Sequence, residues 1–77
     1  MKEKIVAILN ELRPEFDFAE EGVNFIEEGM LDSFDVVNLV DELDSTFGIS
    51  IDGVDILPEN LASIEAIMNL LEKNGVK

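Results

Sequence analysis

The 77-residue chain contains no cysteine and no histidine. Without cysteine, no disulfide can staple the fold and no thiol of the chain's own can carry a substrate. Without either residue there is no Ser-His-Asp triad, no Cys-His pair, and no thiolate or imidazole metal site. Basic residues are scarce: 5 Lys plus Arg stand against 18 Asp plus Glu, a net charge of −13. Such a surface repels phosphate backbones and anionic lipid headgroups, which argues against nucleic acid and membrane surfaces as partners. It favours basic patches on other proteins, reached through steered encounters that salt weakens. No phosphate loop of the GxxxxGK[ST] or GxGxxG form occurs. The apolar run at residues 5–9 (IVAIL) is ended by Asn10, Glu11 and Arg13. It is too short for a membrane span, and no signal-peptide cleavage site follows it. The expectation is a cytoplasmic protein.

What is present is enough for a core. Hydrophobic residues make up 47% of the chain, which argues against disorder. The length suits one small domain over residues 1–77. A domain of this size buries only ~60% of the surface of its unfolded chain, so its stability margin is thin. The self-repulsion of so acidic a chain should make low salt destabilising.

Three segments carry helical periodicity. Ile5, Ile8, Leu9 and Leu12 share one helix face, and Pro14 stops that helix. Residues 15–32 show no sustained period and read as a long loop, pinned by Phe16, Phe18, Phe25, Ile26 and Leu31. The second helix begins at Asp32 or Ser33 and ends near Phe47, with Gly48 as its stop. Val36, Leu39, Val40, Leu43 and Phe47 fall within one arc of about 100° and form its core face. Asp35, Asn38, Asp41 and Asp44 fall outside that arc. Residues 49–62 alternate briefly, then break at Gly53 and Pro58, which favours a loop with one short helical turn near residues 55–60 over a hairpin. Ser63 caps the last helix, whose face is Ile64, Ile67, Met68 and Leu71 and whose end is Gly75.

Two acidic readings fail on pattern. Glu20/Glu21 and Glu27/Glu28 are paired carboxylates, but a glycosidase-like dyad needs one carboxyl buried in a cleft, and a bundle this small has little room for one. They read as solvated surface. A calcium loop of the EF-hand form counted from Asp44 meets Ile49 where glycine is required, and counted from Asp41 meets Leu43 at its third position.

The stretch Gly29-Met30-Leu31-Asp32-Ser33-Phe34-Asp35 has a plain structural reading as a helix start. It also places the Ser33 hydroxyl off the core arc at a helix N-terminus, where partial positive charge and free N–H groups suit a phosphate ester. Phe34 and Val37 lie outside the main core arc, about 40° to 100° round from Ser33. Val37 reads either as a core-edge residue or as part of an exposed apolar spot with Phe34. Ringed by Asp35, Asp41 and Asp44, that spot resembles a docking face.

Here the chain resembles the acyl carrier protein family over almost its whole length. The Asp32-Ser33 pair opens the second helix, preceded by Phe25-Ile26-Glu27-Glu28-Gly29 and followed by Val36-Val37-Asn38-Leu39-Val40-Asp41-Glu42-Leu43. Phe47-Gly48-Ile49 closes that helix; Pro58-Glu59-Asn60-Leu61 and Ser63-Ile64-Glu65-Ala66-Ile67 open the last one. The resemblance implies an all-α four-helix bundle of acyl-carrier type, with three main helices, one short helix and a long first loop. It implies that a phosphopantetheinyl transferase, using coenzyme A, attaches 4′-phosphopantetheine to Ser33, with Asp32 helping to orient the site. The arm's thiol would hold an acyl or aminoacyl cargo as a thioester. Phe34, Asp35, Val37, Asn38, Asp41 and Asp44 would meet partner enzymes: a cargo-loading ligase and downstream transferases with basic docking patches. The carrier would catalyse nothing itself; the lack of an unexplained long apolar stripe in the sequence points to a monomer. Phe34 stands where the family usually has Leu, and Asp41 where fatty-acid carriers often have an apolar residue. Leu31 before the Asp-Ser pair is more often met in D-alanyl, peptidyl and other discrete carriers, so a D-alanyl carrier for cell-wall teichoic acid is one form of the reading. An unmodified acidic helical interaction module and a calcium-responsive protein are the readings of other classes.

Overall fold

The computed structural model describes residues 2–19 and 22–76; the Glu20/Glu21 pair lies outside them. The chain folds as an all-α bundle of helices α1 (Lys2–Leu12), α2 (Ser33–Phe47) and α3 (Ile64–Lys73), with α1 packed on both others. Two 3-10 turns, Gly53–Asp55 and Pro58–Asn60, stand where one short helical turn was expected, and no strand occurs among the described residues. A long loop joins α1 to α2, as in the topology the resemblance implies. No described helix is long and apolar enough to cross a membrane.

Each helix ends where local chemistry stops it. The last backbone bond at the end of α1 runs from the Arg13 N–H to the Leu9 carbonyl at 2.9 Å, and Pro14 follows. Gly48 closes α2 with φ 65°, a left-handed conformation that costs glycine nothing for want of a Cβ. Ser63 caps α3, its hydroxyl accepting the Ala66 N–H at 3.1 Å. At the other end Asn74 caps the helix, with Gly75 just beyond at φ 90°. The Gly75 and Val76 N–H groups return to the Glu72 and Leu71 carbonyls at 3.0 Å, a Schellman closure.

The core joins Ile5, Ile8 and Leu9 of α1, Val36, Leu39, Val40 and Leu43 of α2, and Ile67, Leu70 and Leu71 of α3. Phe47, placed on the same arc of α2, packs against it while only partly buried. The long loop is pinned by its apolar residues. Phe18 and Phe25 are fully buried with their rings edge-on at 5.1 Å, and Phe16 meets Phe18 edge-on at 6.2 Å. Leu31 is buried, while Phe16 and Ile26 pack against the core partly exposed. Burying a phenylalanine gains roughly 1.5–3 kcal/mol, which offsets part of the entropy of ordering the loop. Phe25 also fixes backbone: its N–H donates to the Ala62 carbonyl, and its own carbonyl accepts from Met30 and Leu31 at 2.9 and 3.1 Å. The loop is thereby tied to the approach to α3 on one side and delivers Asp32 to α2 on the other.

Candidate functional site

The site is built on a reciprocal cap. Asp32, in extended conformation, is the N-cap of α2, and Ser33 is the first helical residue. The Asp32 Oδ1 accepts the Asp35 N–H at 2.8 Å, and the Asp35 Oδ2 accepts the Asp32 N–H at 3.2 Å. Each acid therefore satisfies a backbone donor that the start of a helix would otherwise leave unpaired. Between them the Ser33 side chain is exposed, and its hydroxyl takes no partner among the described residues.

Asp35 departs from the sequence expectation. Placed off the core face and assigned to an exposed acidic rim, it is in fact only 6% exposed. Its charged partner lies outside α2. Arg13, just past α1, donates from Nε to the Asp35 Oδ2 at 2.8 Å. The same guanidinium places Nη2 at 3.4 Å from the Asp32 Oδ2 and Nη1 at 3.6 Å from Glu15. Asp35 is thus engaged by the cap and by Arg13, with little of its surface left exposed. Arg13 was missed as a site residue; that it is the sole arginine of the chain was the available signal.

These contacts hold the Asp32 carboxyl below its ordinary pKa. The Asp35 N–H is the first cause and the Arg13 charge adds to it, with a smaller contribution from the Phe34 N–H; partial desolvation opposes them. The Arg13 guanidinium is pushed further up, first by its hydrogen bond to Asp35 and then by the Asp35 charge.

The remaining predicted residues divide. Phe34 is 72% and Val37 56% exposed, so Val37 belongs to the apolar spot and not to the core edge. Asp41 is exposed and Asn38 half-buried on the same helix. Asp44 is half-buried and turned to structural use, its Oδ1 accepting the Ile51 N–H at 3.0 Å. The rim of the apolar spot therefore keeps Asp41 fully, Asp44 in part, and Asp35 not at all.

An open groove of about 750 Å³ lies elsewhere, between the long loop and α3, with Val23, Phe25, Ile64 and Met68 among its lining residues. Neither Ser33 nor Phe34 lines it, so it does not enlarge the site at α2. Among the described residues, no group of three or more Asp and Glu is placed to hold a metal ion. No family model, no curated protein and no solved structure matches the chain.

Proposed function

We propose that this protein is a carrier, modified at Ser33 with 4′-phosphopantetheine and read by partner enzymes through the outer face of α2. The observation that carries the proposal is the setting of Ser33: an exposed hydroxyl without an internal partner, at the first position of a well-capped helix. A hydroxyl there fits a phosphate ester, because the N-terminal end of a helix favours an anion. Arg13 adds a cation beside the two flanking carboxylates. In the modification the Ser33 Oγ loses its proton and bonds to phosphorus, while the nucleotide part of coenzyme A departs with the oxygen of the broken P–O–P bond. The bound group supplies a terminal thiol on which an acyl or aminoacyl cargo is held as a thioester.

The chain's own residues do the rest. Asp32 and Asp35 fix the backbone on both sides of Ser33, so its side chain leaves the helix start in a set direction. Phe34 and Val37 offer apolar surface to a partner, and Asp41 offers charge to a basic rim. Loading ligases and downstream transferases are the partners of this reading. The carrier gives them a tethered substrate at high local concentration and performs no catalysis.

The test is intact mass after incubation with coenzyme A, magnesium and a broad-specificity phosphopantetheinyl transferase. Wild type is expected to gain one phosphopantetheinyl group and Ser33→Ala none. No gain with several transferases that modify a known carrier in parallel would remove the carrier reading. It would leave an unmodified interaction module acting through Phe34 and Val37, whose function Ser33→Ala would spare.

A further inference from the structure

We infer that Arg13 is a positioning residue for chemistry at Ser33, its guanidinium fork locking the Asp32 carboxylate and the first turn of α2 against the end of α1. The inference rests on the carrier reading for what happens at Ser33, and on the geometry of this chain for the part Arg13 plays. The Arg13 backbone is fixed by its N–H bond to Leu9, so the side chain starts from an anchored point. From there it reaches across 22 residues of sequence to Asp35 and 19 to Asp32. The two contacts use different nitrogens, Nε for Asp35 and Nη2 for Asp32, so one planar group holds both acids at once.

Those acids are the two halves of the cap that brackets Ser33. Asp32 gives Oδ1 to the cap and turns Oδ2 to Arg13. Asp35 uses one oxygen, Oδ2, for both the Asp32 N–H and Arg13. Without the fork, the cap keeps its two backbone bonds but loses the brace that fixes its direction relative to α1. Arg13 also lowers the cost of a new anion, because a phosphoester adds negative charge beside Asp32 and Asp35 in a chain already at −13. Lysine keeps that charge but cannot bridge two carboxylates as a rigid fork does.

The experiment compares full-length wild type, Arg13→Gln, Arg13→Lys, Asp32→Asn and the double variant Arg13→Gln/Asp32→Asn. It reads kcat/KM for phosphopantetheinyl transfer from coenzyme A, at a temperature where circular dichroism finds every variant folded. It also reads the Asp32 carboxyl titration by NMR, which needs no modification at all. Val40→Ala, on the buried face of α2, serves as a destabilised control. Arg13→Gln is expected to lower kcat/KM roughly tenfold, the scale of losing one orienting contact, and to move the Asp32 titration upward. Arg13→Lys should recover part of the rate, and Val40→Ala should leave both readouts near wild type. In the Asp32→Asn background Arg13→Gln should cost less than it does in wild type, because the Asp32 arm of the fork is already gone and only the Arg13–Asp35 contact remains to be lost. A wild-type rate in Arg13→Gln, an unmoved Asp32 titration, additive losses in the double variant, or an equal loss in Val40→Ala would each overturn the inference while the carrier reading stands. A wild-type chain that no transferase modifies removes the carrier reading itself, and this inference with it. If Asp32→Asn alone abolishes transfer, the Asp32 titration in Arg13→Gln decides.

Discussion

The Asp32 carboxylate caps a helix with one oxygen and faces a guanidinium with the other. Its pKa is lowered in the fold, first by the Asp35 N–H and also by Arg13, from an ordinary value of 3.8. A depressed carboxylate contributes stability that is fully present above its unfolded pKa and lost as pH falls through the folded one. Asp32→Asn separates cap from charge, because asparagine caps a helix about as well as aspartate. At moderate salt, wild type is expected to melt above Asp32→Asn at neutral pH, and the gap should close as pH falls below about 4. Thermal melts of both chains across the acid range check this; a gap that ignores pH would show that ionisation adds nothing beyond the cap. Ser33 and its cap were legible in the sequence because caps are local. The burial of Asp35 was not, because its ion-pair partner comes from a residue 22 positions away, and helical spacing places Asp35 about 40° beyond the edge of the core arc.

Among the elements, α2 shows how far local signals reach. Its start at Asp32-Ser33, its core arc and its stop at Gly48 all follow from cap chemistry and 3.6-residue spacing. The stop can be tested alone. A Cβ added at Gly48 meets nothing within 4 Å, so Gly48→Ala introduces no clash, only the cost of a left-handed backbone at φ 65°. That cost is about 1 kcal/mol, which lowers Tm by roughly 4–8 °C in a domain of this size. Chemical denaturation should give the same loss with an unchanged m-value; no loss would mean the helix end relaxes freely. The long loop was legible only in its anchors. The phenylalanines announced burial, but the Phe25 N–H bond to the Ala62 carbonyl joins segments that no periodicity relates. Phe25→Ala should cost about 3–5 kcal/mol, more than any cap, because it empties a site only 1% exposed and frees the loop that carries Asp32. Loss of cooperative melting by circular dichroism is the expected sign; a change under ~1 kcal/mol would show that the loop is held elsewhere. Residues 53–60 formed two 3-10 turns instead of one helical turn because the Asp52 carboxylate caps the first at the Val54 N–H and Pro58 starts the second.

At the scale of the whole molecule the question is charge. The domain measures 29 × 23 × 20 Å and carries a net charge of −13. At 10 mM salt the Debye length is about 30 Å, so every charge acts on every other; at 150 mM it is about 8 Å, and only neighbours interact. Two effects of added salt oppose each other. Screening weakens the favourable pairs, chiefly Arg13 with Asp35 and Asp32, and Lys73 with Asp55 at 2.7 Å. It also weakens repulsion among the many remaining acids. Asp35 is buried beside Arg13, where salt screens little, whereas the repulsion is spread over exposed carboxylates, where salt screens well. The repulsive side therefore dominates the response. From 10 to 150 mM NaCl, Tm is expected to rise by several degrees, equivalent to about 1 kcal/mol, and to flatten beyond. A flat profile would show that repulsion is not a significant part of this protein's energetics. Repeating the melt with CaCl2 at matched ionic strength separates screening from binding. Equal shifts mean screening alone, whereas a larger, saturable calcium shift would mean a specific divalent site and revive the calcium-responsive reading. Partner encounters obey the same screening in the opposite sense. The salt that steadies the isolated fold should slow association with a basic docking surface, so stability and on-rate are expected to move in opposite directions along one salt titration.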